Sequence, residues 1–221
     1  MKIYFKIFIF YFLSLVIAKD DISAGAFSIT RLHYSGGGDW YSDPSSLPNL
    51  LEFIKENTNL VIDTMEKRAK IGEDDFYSSS HIYLTGHGNI KFSDNEAQLL
   101  RDYLIGGGFL HADDNYGMDQ SFRREMKKVF PELDWVEIPK DHEIFSIVFS
   151  MPNGLPKIHE HDNKRPQAFG LFYKQELVSI YTYESDLGDG WEDPEVHNNS
   201  YDLRLSALQM GTNIVVYGLL R

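Results

Sequence analysis

The sequence predicts an α/β fold built on a mainly parallel sheet, with a hairpin added towards its C-terminal end. Two observations predict it. Through the first half, short segments rich in β-branched and aromatic residues alternate with segments of helical periodicity. Beyond residue 135 the alternation stops, and two extended segments follow one another directly.

The elements follow in order. Residues 27–34 (FSITRLHY) form a strand that Gly36-Gly37-Gly38 closes. Ser45 or Ser46 caps the first helix, Pro48 suits its first turn, and Leu47, Leu50, Leu51 and Ile54 recur at helical spacing. Residues 59–63 form a short strand. Residues 81–85 (HIYLT) form another, closed by Gly86-His87-Gly88. Ser93 and Glu96 make a capping box for a helix with Ala97, Leu100 and Leu104 inward, and Gly106 ends it. Phe109-Leu110 opens the next strand. Asp119 caps a helix with Phe122, Met126 and Val129 inward, stopped by Pro131. Residues 135–138 are a short strand. Residues 168–173 and 177–183 flank Lys174-Gln175-Glu176 as a hairpin. A polar stretch covers 184–200, and residues 203–219 form a closing helix in which Gly211 is a soft spot. With no repeat or linker, one domain from 19 to 221 is the economical reading.

Residues 1–18 have the pattern of a secretory signal. Lys2 and Lys6 precede an apolar run over 7–18, and Val16 and Ala18 stand at a small-x-small cleavage position. The run is shorter than the roughly 20 residues of a membrane span and ends at Lys19-Asp20-Asp21. The expected product is exported, periplasmic or extracellular, with no stable membrane span. The chain has no Cys, which excludes disulfides, thiolate ligands, a Cys nucleophile and a lipoprotein anchor. Its net charge of −12 becomes −14 once Lys2 and Lys6 are removed, which disfavours nucleic acid and anionic lipid as partners.

In an open α/β sheet, ligands bind beyond the carboxyl ends of the strands. The loops expected there hold Gly37, Gly38, Asp39 and Trp40, then Gly86, His87 and Gly88, then His111, Asp113, Asp114 and Asn115. Later loops hold His159, His161 and Asp162, then Asp189 and Trp191. Each has two readings. The glycine triplet is a tight turn or lets backbone approach a ligand. Gly86-His87-Gly88 is a turn or a set of backbone donors for an oxyanion. His159 and His161, two apart, share one side of an extended segment and suit chelation with Asp162, or are solvated. Residues 186–193 resemble a calcium loop without the EF-hand spacing. Asp113-Asp114 caps a turn or supplies a base of raised pKa. Asp39, His87, His111, Asp113 and His161 are expected to line one pocket.

The runs RLHYSGGGDWYSDPSSLPNLLEFI, YLTGHGNIKFS, LRDYLIGGGFLHADDNYGMDQSFRREMKKVFP, NGLPKIHEHD and SDLGDGWEDPEVHN resemble domain-of-unknown-function family 4159. That family is similar in turn to the class I glutamine amidotransferase-like superfamily and to trehalose-utilisation-type domains. The wider resemblance implies a flavodoxin-like three-layer sandwich. It places Asp113, after Gly107-Gly108-Phe109-Leu110-His111-Ala112, at the elbow where amidotransferases carry their Cys, and makes Gly86-His87-Gly88 the counterpart of the oxyanion loop. Without Cys, glutamine hydrolysis through a thioester is excluded.

Three functions compete. The first is binding of a small polar ligand, sugar or envelope partner through the His/Asp/Gly-rich pocket, with Trp40 and Trp191 offering rings. The second is a metal-dependent hydrolase or lyase, with Asp113, His87 and His111 as catalytic candidates and a divalent ion on His159, His161 and Asp162. The third is a structural role. Export gives the first test. Intact-mass analysis of the secreted protein should place the new N-terminus at Lys19 or within a few residues of it, and a full-length chain in the membrane fraction would refute the signal.

Overall fold

The computed structural model describes residues 25–114, 116–161 and 163–221. The signal-like segment and its cleavage point lie outside these residues, as do Asn115 and Asp162.

Seven strands form one sheet: β1 (Thr30–Leu32), β2 (Lys67–Ala69), β3 (His81–Leu84), β4 (Phe109–Asp113), β5 (Val136–Glu137), β6 (Gln167–Tyr173) and β7 (Glu176–Tyr183). Their order is β2-β1-β3-β4-β7-β6-β5. The first five run parallel, and β6 and β5 are antiparallel additions. With β7 in the fifth place, this is the flavodoxin-like order. Helices cover both faces. On one lie α1 (Ser46–Asn57) and α7 (Tyr201–Leu220), whose Leu50, Ile54, Met210 and Ile214 pack with Ile29, Phe109 and Ile180. On the other lie α3 (Asp94–Ile105) and α4 (Asp119–Val129), whose Leu100, Leu104, Phe122 and Met126 pack with Leu32, Ile82 and Leu110. The four-residue α2 (Asp74–Tyr77) sits between β2 and β3. Every residue of β3 and β4 is buried, because a parallel strand covered on both faces has no solvent side.

Local signals explain most boundaries. Ser93 and Glu96 form the expected capping box. The left-handed residue after α3 is Gly107 (φ +107°), one position beyond Gly106 (φ −78°). The hairpin turn is only Lys174-Gln175, both at positive φ (49° and 74°), so a type I′-like turn forms without the usual glycine. Gly211 is a packing requirement, because a Cβ there would lie 2.7 Å from both Leu50 and Trp191.

The structure corrects the sequence expectation at three places. The second strand is β2, and 59–63 contributes only an isolated Phe27–Ile62 bridge. As a charged edge strand, β2 carries no hydrophobic alternation. Asp119 begins α4 without capping it through its side chain, since the cap residue is Met118. The polar stretch 184–200 holds two short helices, α5 (Leu187–Trp191) and α6 (Pro194–His197).

Beneath the sheet, His81 and His111 are buried against each other, with ring centroids 6.4 Å apart. Burial, then Arg221, pushes His81 down to about 3, and burial, then His81, holds His111 well below the usual histidine range. Both are neutral in the fold. Unfolding frees them to take protons below the unperturbed histidine pKa of about 6.5. Their contribution is therefore fully present above that pH and is lost as pH falls towards 3. Urea midpoints of wild type should decline across this window, and His81→Leu should flatten part of the slope. Equal slopes in the two proteins would refute a neutral His81.

Candidate site at the carboxyl edge

Asp113 ends β4 and is fully buried. Its Oδ1 accepts from the Thr182 hydroxyl. Its Oδ2 accepts from Gly188 N at 2.7 Å and from the Tyr83 hydroxyl at 3.2 Å. Burial, then Asp186, raises its pKa to about 7 against these hydrogen bonds. Gly188 lies in the first turn of α5, so Asp113 fixes where that turn sits. Asp186, before it, is left-handed (φ 63°, ψ 50°). From there Asp186, Asp189 and Glu192 recur every three residues, which brings them to one side.

Three histidines meet these carboxylates. His159 Nδ1 is 2.5 Å from Asp189 Oδ2 and 3.5 Å from Asp186 Oδ2. His161 Nε2 is 2.9 Å from Asp186 Oδ2. His197 Nε2 lies 3.4 Å from Asp189 Oδ1 and 3.5 Å from Glu192 Oε2. This nitrogen is closed off from solvent and has no hydrogen-bond partner. Asp43 reaches the same place from the loop after β1. A Cβ on Gly188 would stand 3.0 Å from its Oδ2, so only glycine leaves room for this approach. Asp43 is itself left-handed (φ 55°), and its carbonyl takes hydrogen bonds from the fully buried Arg31 and from Ser46.

In each of two sets the ligand atoms lie within 4.8 Å of one another: His159, Asp189 and His197 form one, and Asp43, Glu192 and His197 the other. Among the described residues no lysine or arginine side chain pairs with the carboxylates of Asp113, Asp186, Asp189 or Glu192. Burial, then Asp186, Asp43, Asp113 and Glu192, pushes Asp189 up to about 9. Burial also opposes ionisation of Asp186, but hydrogen bonds from His159 and His161 outweigh it and hold its pKa below the ordinary value. His161 is raised chiefly by its bond to Asp186. Crowded, unneutralised carboxylates with imidazoles among them are the chemistry of a cation site.

The other expected residues are distributed around this cluster. His111 is inside β4, not after it, with Nε2 3.0 Å from Thr182 Oγ1. Asp39 and His87 pair with each other: Asp39 accepts from His87 N, and its other oxygen is 3.1 Å from His87 Nδ1. They lie at the β1/β3 switch point, and no contact joins them to the histidine cluster among the described residues. Gly38 and Gly86 let those two loops touch, since Cβ atoms there would fall 2.6 Å from His87 O and 2.9 Å from Asp39 O. Gly37 and Gly88 have positive φ (95° and 88°), and Trp40 stacks on His33. Trp191 is fully buried and donates to Ala207 O, so it is a core residue. Asp114 lines a separate cavity of about 310 Å³ with Tyr116, Lys164 and Glu184. Asn115 and Asp162 lie outside the described residues. Sequence reasoning missed Asp43 and His197, while Asp186 and Glu192 fell inside the calcium-loop-like run 186–193 without being named as ligands.

The family model described as Domain of unknown function (DUF4159) matches residues 28–219. The chain belongs to that family. No curated protein matches it. Every residue of the DUF4159 cluster, from Asp43 to His197, falls inside the matched region.

Asp113→Ala should cost about 1–3 kcal/mol, since it strands a buried backbone N–H and two hydroxyls. Asp113→Asn, which keeps one acceptor oxygen, should cost less. Denaturant midpoints decide it, and an Ala variant as stable as wild type would refute the anchoring role.

Proposed function

We propose that this chain is an exported, thiol-free relative of the amidotransferase-like domains that holds a divalent transition-metal cation and binds a small polar ligand beside it. One observation carries the cation: His159, Asp189 and His197 offer three ligand atoms within 4.8 Å of one another, beside Asp186 and Glu192, whose carboxylates pair with no lysine or arginine among the described residues. Mixed imidazole and carboxylate donors suit Mn, Fe, Ni or Zn better than Ca or Mg, which favour oxygen-only sets. Export rests on Lys2, Lys6 and the apolar run to Ala18. Kinship to amidotransferases rests on the flavodoxin-like strand order and on Asp113 at the end of β4.

A second reading, metal-assisted hydrolysis, is favoured by the polar cavity beside the cluster. Tyr116, on its wall, stacks on His161 with ring centroids 4.9 Å apart. His161 binds Asp186, which faces His159. A ligand seated in the cavity would be linked to the cation site through Tyr116, His161 and Asp186. In that reading the cation supplies an acidified water, His159, Asp189 and His197 hold it, and Asp113 positions the α5 turn rather than touching the ligand.

Titration calorimetry of chelator-treated protein with Mn²⁺ or Zn²⁺ tests the cation. Wild type should bind, and His159→Ala or Asp189→Asn should lose roughly tenfold or more in affinity, comparable to or beyond the loss when an outer-shell partner is removed. Glu52→Gln, on the exposed face of α1, should bind as wild type does. Wild-type protein that takes up neither metal would end this reading.

A further inference from the structure

We infer that the cluster holds two cations side by side, the second on Asp43, Glu192 and His197. This deepens the proposed cation site and rests on it.

His197 belongs to both ligand sets but presents one buried nitrogen to them, and that nitrogen can bind only one cation. It stands almost midway between the two, 3.4 Å from Asp189 Oδ1 and 3.5 Å from Glu192 Oε2. Asp189 divides in the same way. Its Oδ2 faces His159 and its Oδ1 faces His197. The donors therefore partition without conflict. His159 and Asp189 Oδ2, with Asp186 beside them, serve the first cation. His197, which a lone cation would share with His159 and Asp189, passes to the second together with Glu192 and Asp43, and Asp189 lends one oxygen to each.

The second set is anchored by its own hydrogen bonds. Ser45 fixes Glu192 Oε1 with both its backbone N–H (3.1 Å) and its hydroxyl (3.0 Å), leaving Oε2 turned to His197. Arg204 holds the Glu192 carbonyl at 2.6 Å. Arg31 holds the Asp43 carbonyl, and Asp43 keeps a left-handed backbone. These anchors orient the carboxylates by their backbones and spare oxygens. Among the described residues no arginine takes a Glu192 carboxylate oxygen, so its charge stays available to an ion. When ionised, Asp43, Asp186, Asp189 and Glu192 carry four negative charges, of which one dication balances half and two balance all.

Stoichiometry and spin coupling test this. Chelator-treated wild type titrated with Mn²⁺ should bind two ions per chain, and at saturation its EPR spectrum should show an exchange-coupled pair. Asp43→Asn and Glu192→Gln should each bind one ion with the coupling lost; two variants guard against misfolding of either, and asparagine tolerates the left-handed backbone at 43. One ion per wild-type chain, or two uncoupled ions, would overturn the second site while leaving the first intact. No ion in wild type would overturn both. Variants that still bind a coupled pair would overturn the assignment to Asp43 and Glu192.

Discussion

The carboxylate of Asp113 is the interaction on which the carboxyl edge depends. It joins three elements at once: β3 through Tyr83, β7 through Thr182 and α5 through Gly188. An unpaired backbone N–H and a fully buried acid would each be expensive alone, and here each satisfies the other. Because the acid is last in its strand, it reaches past the sheet and holds the turn from which Asp186 and Asp189 project. Gly188 completes the arrangement, since any side chain there would strike Tyr83 and Asp43. The surroundings of Asp113 are those of a structural anchor, and the His–Asp cluster lies one layer further out.

The cluster is assembled from four separate parts of the chain: the loop after β1, the irregular segment before β6, the α5 turn and the end of α6. Arg31 and Trp191 set the distances between them. Arg31, buried in β1, draws in Glu66 together with the carbonyls of Ser42 and Asp43. Trp191 locks the back of α5 to α7 through Ala207 and lies under Gly211. Burying a guanidinium and an indole is tolerable because each finds partners there, and they leave the acidic face with little freedom to rearrange.

Much of the fold was legible because its signals are local. The Ser93–Glu96 box, the stripes of α1, α3 and α4 and the β6–β7 hairpin each depend on residues a few positions apart. β2 was not legible, since Lys67 and Arg68 on an edge strand look like a loop. Of the site, the His159–His161 pair and Asp189 could be singled out by residue type. Asp43 and His197 could not, because nothing in Ser42-Asp43-Pro44 or in Val196-His197 shows that they meet across more than 150 residues. Asp39 and His87 were visible for the same reason as the histidine pair, each following a strand. Their partnership with one another, rather than with the cluster, is decided by how the two glycine loops pack.

The ends of the sheet have a further consequence. Its outermost strands are three and two residues long. One carries Lys67 and Arg68, and the other is flanked by the Glu137–Arg165 ion pair. A second chain approaching either outermost strand would find only three or two residues to pair with, and charged side chains on both. A protein with six uninterrupted strand residues at its border would risk adding copies of itself without limit. Here brevity and charge in both outermost strands disfavour that route to fibrous assembly, independently of anything the acidic cluster does.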